Sequence, residues 1–322
     1  MLRLLAIVLL VAASVAAHAQ SAPWPERPIK LIVPTGAGSA TDIMARLLAS
    51  DVSARIGGSV FVENVAGGSG VPAHQAAARA QADGYTFLFT NTSGLAINPV
   101  TFKQLPYDPV KDFTAVALVT DLSPQMVSVH RDTPAQTLPQ LVDWVRNNPG
   151  KVSYAVDATA GAAVFYGRML NRRAGLDMAE VPYRSAAQMV QDAAAGRVQV
   201  LVSSIAVAQP HVETGALHRV ALFSSRRFPT LPDLPTVAET LSGASHDGWF
   251  VVVAPAGAPR EAVERMNKAI VAFLELPDTQ QRLHKIGLDS GRRGDAAWTQ
   301  EYLRSEQANW RALAQELGIQ AQ

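Results

Sequence analysis

The residues best placed to do chemistry are a run of small residues, Thr35-Gly36-Ala37-Gly38-Ser39-Ala40-Thr41, that leads into Asp42. The run follows an apolar segment, Ile29-Lys30-Leu31-Ile32-Val33, closed by Pro34. It precedes a stretch with Ile43, Leu47, Leu48 and Val52 on one helical face. A glycine-containing turn between a strand and a helix lets backbone N–H groups approach a ligand closely. The helix start adds unpaired donors and the positive end of the dipole, a combination suited to a carboxylate or phosphate. Asp42 gives the turn two readings, since its carboxylate either caps its own helix or orients donors in a site. An ordinary capped turn and an anion-facing turn are both compatible with these residues.

Other chemistries find less support. Gly36-x-Gly38 with Glu63 at the end of the next strand has the outline of a dinucleotide fingerprint, but Thr41 stands where the third glycine belongs. No Gly-x-Ser-x-Gly elbow and no His-Glu-x-x-His occur. His74, His130, His211, His218, His246 and His284 are scattered without ligand spacing, and cysteine is absent, so no metal site, thiol nucleophile or disulfide is expected. The tryptophans at 24, 144, 249, 298 and 310 read as packing residues. No catalytic set and no cofactor are expected; binding fits better than turnover.

The elements that would position these groups alternate between strand and helix. Strands are expected at Ile29–Val33, 60–62, 85–90, 115–119, 152–156, 198–202, 219–223 and 249–254. Helices are expected from Asp42 to Gly57, after Gly67-Gly68-Ser69-Gly70, and over 138–146, 161–172, 185–195 and 206–214. The strand at 115–119 is expected at a domain crossing, and the tail from Pro259 reads as helical to the end. This alternation predicts an α/β fold with largely parallel sheets in two lobes. The first lobe would comprise 24–123 plus 247–322, the second 124–246.

The first residues have the layout of a secretory leader. Arg3 supplies charge, Leu4 to Val15 is apolar, and Ala17-His18-Ala19 fits a small-x-small cleavage site, which would make 1–19 a leader and Gln20 the first mature residue. The apolar run is shorter than the roughly 20 residues a spanning helix needs. Losing Arg3 leaves basic residues equal in number to the 27 acidic ones. Such an even balance argues against nucleic acid or an anionic membrane surface as partner.

Short motifs in fixed order then point to a family. Trp24-Pro25-Glu26-Arg27-Pro28-Ile29 opens the series, followed by Val62-Glu63-Asn64, Asp83-Gly84-Tyr85-Thr86 and Ile97-Asn98-Pro99. Leu105-Pro106-Tyr107-Asp108-Pro109, Val181-Pro182-Tyr183-Arg184, Leu231-Pro232-Asp233-Leu234-Pro235 and Ala254-Pro255-Ala256-Gly257 complete it. With them the sequence resembles the Bug-type periplasmic receptors of the tripartite tricarboxylate transporter system along essentially all of its mature part.

The resemblance implies a monomeric, two-lobed periplasmic-binding-protein (Venus-flytrap, type II-like) fold that closes on a small carboxylate. It also implies delivery to an inner-membrane permease with one large and one small subunit; a sensor feeding a two-component system is the alternative. Ligand contacts carried over from the family fall on Gly36, Ala37, Gly38, Ser39, Thr41 and Asp42, and on Asn91, Thr92 and Ser93. In the second lobe they fall on Asp157, Thr159, Ala160, Gly161, Ser203 and Ser204, with Arg184 as a further candidate.

Departures from the family pattern bear on the ligand. Ser203 stands where an aspartate is usual, which removes a partner for a ligand ammonium, while Asp157 adds an acid nearby. Leu95 and Val164 replace polar groups and are expected to make the pocket less polar.

Overall fold

The computed structural model describes residues 24–157, 161–183 and 185–321; the expected leader lies outside them, as do Thr159, Ala160 and Arg184. In chain order, β1 (Ile29–Val33) leads to α1 (Ala40–Ile56), β2 (Val60–Asn64), α2 (Val71–Ala78) and β3 (Thr86–Asn91). A wide helical turn over 93–97 runs into the short α3 (Asn98–Thr101), and β4 (Phe113–Thr120) follows. Next come β5 (Gln125–His130), α4 (Leu138–Arg146), β6 (Ser153–Asp157), α5 (Ala162–Ala174), β7 (Ala179–Tyr183) and α6 (Ala186–Ala194). The chain continues through β8 (Val200–Ser204), α7 (Ile205–Glu213), β9 (Leu217–Phe223) and β10 (Phe250–Pro255). It ends in α8 (Arg260–Leu274), α9 (Pro277–Lys285) and α10 (Ala296–Glu316).

Two five-stranded sheets result, ordered β2-β1-β3-β10-β4 and β7-β6-β8-β5-β9. Each has one strand running against its neighbours, β10 in the first and β5 in the second. Both are the strands by which the chain arrives from the other sheet. The fold is the mixed α/β, two-lobed architecture expected. β1 is almost wholly apolar because it lies between β2 and β3 with both faces covered.

Several elements differ from the sequence reading. The strand expected at a crossing is β4, which lies wholly within the first sheet; the chain crosses after it, between β4 and β5. β5 and β7 are strands without a clear strand signal in the sequence. β5 carries Gln125, Ser128 and His130 among its apolar residues, and β7 contains Glu180 and Pro182, which an edge strand tolerates. The tail is three helices: Pro277 opens a new one, and residues 286–295 separate it from α10.

An ion cluster sits where the chain leaves the first sheet. The buried carboxylate of Asp121 accepts from the Gly291 N–H at 2.6 Å and meets Arg226, from the segment after β9, at 3.3 Å. Arg226 also reaches Asp289 at 2.8 Å, and the ring of His284 meets that same carboxylate at 2.7 Å. Backbone bonds add to the cluster, with the Asp121 and Leu122 N–H groups donating to the Asp289 carbonyl.

A second tie is α10, which packs along β4 and also touches the second lobe. Its Gln300 accepts from the Ala115 N–H at 2.9 Å. Its Trp310 is fully buried, edge-on to Phe165 and Tyr166 of α5 with ring centroids 5.5 and 5.8 Å away. Truncating that ring leaves a large cavity among residues of both lobes. Trp310→Ala is therefore expected to destabilise the protein by about 3–5 kcal/mol, read from urea unfolding. A loss below about 1 kcal/mol would show that α10 is not a structural tie.

Candidate functional site

A cavity of about 550 Å³ lies between the two sheets. Its walls are the loops at the carboxyl ends of the parallel strands, where open α/β sheets bind ligands. The first lobe contributes Thr35, Gly36 and Thr41 from the β1–α1 turn, the glycine loop 67–70 before α2, and Asn91 to Gly94 after β3. The second contributes Gly161 to Ala163 at the start of α5 and Ser203, Ser204 and Val207 around the start of α7. Ser123, Gln125 and Trp249, at the crossings, are among the remaining wall residues. Among the described residues that line it there is no Asp, Glu, Lys or Arg.

The β1–α1 turn divides into two parts. Gly36 and Thr41 line the cavity; Ala37, Gly38, Ser39 and Asp42 do not. Ser39 caps α1 by accepting from the Asp42 N–H at 3.2 Å, and its hydroxyl pairs with that of Thr35 at 2.7 Å. Gly38 has φ 81°, the left-handed conformation the turn needs, and donates its N–H to the Asp42 carboxylate at 2.9 Å. That carboxylate also accepts from Arg46 at 3.0 Å and from Asn64 at 2.8 Å. The Arg46 bond leads in holding its carboxyl down at about 2, against the opposing effect of burial. Asp42 thus spends its charge within the first lobe, clamping α1 to the end of β2. Glu63, which completed the dinucleotide outline, is paired with Lys30 at 2.8 Å.

After β3, Asn91 accepts from the Ser93 N–H at 3.1 Å, which leaves its amide nitrogen without a bond among the described residues. Thr92 is committed elsewhere: its hydroxyl accepts from the Trp249 N–H at 2.8 Å, and its own N–H donates to the Trp249 carbonyl at 3.1 Å. It ties β3 to the segment entering β10. In the second lobe, Gly161 and Ser204 stand at the N-caps of α5 and α7; among the described residues no side chain caps either helix, and Gly161 to Ala163, Ser204 and Val207 line the cavity. Among the described residues the Ser203 hydroxyl makes only a 3.3 Å bond, to the Ser204 carbonyl. Asp157 is described only as the last residue of β6.

Leu95 and Val164 require a correction. Both are buried in the core and neither lines the cavity, so they do not lower its polarity; α10 and the neighbouring helices draw them inward. Sequence reasoning missed the 67–70 loop as a wall of the site, although its glycines repeat the signal of the first turn. It also missed Asn98, Gln125 and Trp249, which only the crossings and the turn after β3 bring to the cavity. His74 is a further addition: its side of the cavity is buried, and both ring nitrogens are bonded, to the Gly70 carbonyl and the Thr90 hydroxyl, each at 2.7 Å. Burial holds this imidazole down at about 4, although the Gly70 carbonyl favours the protonated ring. No group of three His, Cys, Asp or Glu that could hold a metal occurs among the described residues.

Residues 44–319 match the family described as the tripartite tricarboxylate transporter family receptor. The chain belongs to this receptor family. It is 33% identical over 316 residues to a UPF0065 protein of Bordetella bronchiseptica, covering 98% of this chain and 92% of the relative. To the protein BugT of Bordetella pertussis it is 31% identical, over 85% of each chain. Among solved structures, an R. palustris protein determined with adipate superposes with a TM-score of 0.84 at 32% identity, covering 93% of this chain and all of the other. The periplasmic binding protein BugD follows at 0.80 and 30%, with coverage of 93% and 100%. The chain is thus a Bug-type solute-binding receptor.

Two outcomes follow from the site chemistry. Asp42→Ala removes the acceptor shared by Gly38, Arg46 and Asn64 and is expected to destabilise the fold by about 1–3 kcal/mol in urea unfolding; an unchanged midpoint would deny Asp42 the role of clamp. His74 gives a pH dependence. Above about pH 6.5 the ring is neutral whether the chain is folded or not. As pH falls toward about 4 the unfolded chain takes up a proton that the folded one refuses, and about 3 kcal/mol of stability is lost. His74→Phe removes that component, so the difference between the two proteins should change between about pH 7 and about pH 4.5. Parallel pH profiles would clear His74 of the effect.

Proposed function

We propose that this receptor captures a small organic carboxylate in the cleft between its lobes and delivers it to a tripartite-type inner-membrane permease with one large and one small subunit. One observation carries the reading: two uncapped helix starts, α5 and α7, face the first-lobe loops across a cavity of about 550 Å³. Helix N-termini favour anions. Neutral donors on Asn91, Ser93, Ser204 and Thr41 stand ready to complete a carboxylate's hydrogen bonds, and no acid among the described lining residues opposes it. The relatives solved with adipate, and with malate in the case of MatC, support this ligand class.

In this proposal the lobes are residues 24–123 plus 247–322 and residues 124–246, and they close about the crossings as a monomer. The segment 157–161 and Arg184 contribute to the second-lobe wall. A ligand without an ammonium group is favoured, since the described lining residues around Ser203 offer a cation no carboxylate. Export is through a leader cleaved after Ala19, which places the receptor in the periplasm like BugD. Binding without turnover is favoured because the one imidazole at the cavity has both nitrogens engaged.

A thermal-shift screen of the mature chain against dicarboxylates, tricarboxylates, aromatic acids and amino acids tests the reading. A saturable hit among the acids without an amine is expected, and a ligand at 100 times its Kd should add about 2.7 kcal/mol. If only amino acids stabilise the protein, the ligand class is wrong. If no carboxylate does, the receptor reading fails.

A further inference from the structure

We propose that His74 is a positioning residue of the cleft. Together with Asn98 and Tyr107, it engages the backbone carbonyls of Ser69, Gly70 and Gly94 in the core, so that these dipoles do not oppose an anion in the cavity. The inference rests on the carboxylate reading above and deepens it.

A site built from backbone donors faces a difficulty that side-chain sites avoid. Each peptide brings an acceptor oxygen with its N–H, and a carbonyl turned toward a carboxylate repels it. The loop before α2 is acutely exposed to this problem. Gly67, Gly68, Ser69 and Gly70 all have positive φ, at 104°, 50°, 55° and 77°, and Ser69 carries a side chain in a conformation that disfavours one. Successive left-handed or alternating residues can form an anion-binding concavity, but only if their carbonyls are satisfied elsewhere.

Two buried donors satisfy the carbonyls of Ser69 and Gly70, and a third serves that of Gly94 in the turn after β3. His74 Nδ1 meets the Gly70 carbonyl at 2.7 Å, Asn98 Nδ2 donates to the Ser69 carbonyl at 3.0 Å, and the Tyr107 hydroxyl donates to the Gly94 carbonyl at 2.6 Å. These groups form one cluster. Asn98 Nδ2 also donates to the Tyr107 oxygen at 3.2 Å, and the His74 and Tyr107 rings stack with centroids 5.0 Å apart.

The hydrogen-bond partners fix the tautomer of His74. A carbonyl can only accept, so Nδ1 carries the proton, and the remaining nitrogen, Nε2, accepts from the Thr90 hydroxyl. The ring also packs tightly against the turn after β3. A Cβ at Gly94 would lie within 1.9 Å of His74 Nε2, so the imidazole rests directly against the backbone of the second loop. One ring thereby joins two walls of the first-lobe half of the site, the 67–70 loop and the turn after β3.

The test compares the full mature chain with two variants, using adipate and malate as probes. His74→Phe keeps a ring against Tyr107 and loses both hydrogen bonds. His74→Asn places an amide near the Nδ1 position, where it can donate to Gly70. We expect nitrogen-resolved histidine spectra to show the neutral Nδ1–H form of His74. His74→Phe should weaken the tighter-binding probe at least tenfold and accelerate amide exchange at Ser69 and Gly70. His74→Asn should recover affinity to within about threefold, a rescue that loss of stability alone would not produce.

An Nε2–H tautomer overturns the inference, as does His74→Phe with unchanged affinity and exchange, or His74→Asn no better than His74→Phe. If His74→Phe does not fold, His74→Gln takes its place, since its amide reaches Thr90 but not Gly70; wild-type affinity in that variant overturns the inference. If the wild type binds neither probe nor any other carboxylate, the receptor reading fails separately, and the tautomer and exchange measurements still decide the role of His74.

Discussion

The buried carboxylate of Asp121 stands where the chain passes from one sheet to the other, and much of the architecture depends on its being neutralised there. Arg226 is supplied by the second lobe, while Asp289, His284 and the Gly291 N–H come from the segment that closes the first. Taking one partner from a buried ion pair leaves an uncompensated charge, which is far more harmful than the pair is helpful. The cluster therefore fixes which surfaces of the two lobes meet at this crossing. The second crossing is fixed without charge, by Thr92 and the backbone of Trp249. Between these two points the strand ends of both sheets are held facing one another, and the cavity is what remains between them.

The two lobes contribute unlike things to that cavity. The first-lobe helix start at Ser39 and Asp42 is already satisfied by its own side chains, so it serves as a rigid support. The second-lobe helix starts at Gly161 and Ser204 have no such caps among the described residues. A division of this kind suits a receptor that must hold a preformed half-site and complete it when the other half arrives. The same logic explains why Asp42, so prominent in the sequence, faces away from the ligand space, and why an anion can be accommodated near it.

The sequence made the strand–helix alternation legible wherever apolar runs were bounded by glycine or proline, as at β1, β3, β8 and β9. β5 escaped because Ser128 and Gln125 interrupt its pattern, and β7 because Pro182 is tolerable only at the sheet edge it occupies. In the site, Gly36, Thr41, Asn91, Ser93, Gly161, Ser203 and Ser204 reach the cavity because strand–helix turns are local and can be read locally. The 67–70 loop carried the same local signal. Gln125, Asn98 and Trp249 could not be found that way, since residues far apart in the chain bring them together. Thr92 lines the cavity as well, yet its hydroxyl is spent on Trp249.

A cleft whose described walls bear no formal charge has a consequence for how its occupant experiences the surrounding solution. Salt screens interactions between exposed charges over about 8 Å at physiological ionic strength, but it acts weakly on short, desolvated hydrogen bonds from backbone and hydroxyl donors. A grip built from such bonds would vary little between dilute and brackish surroundings.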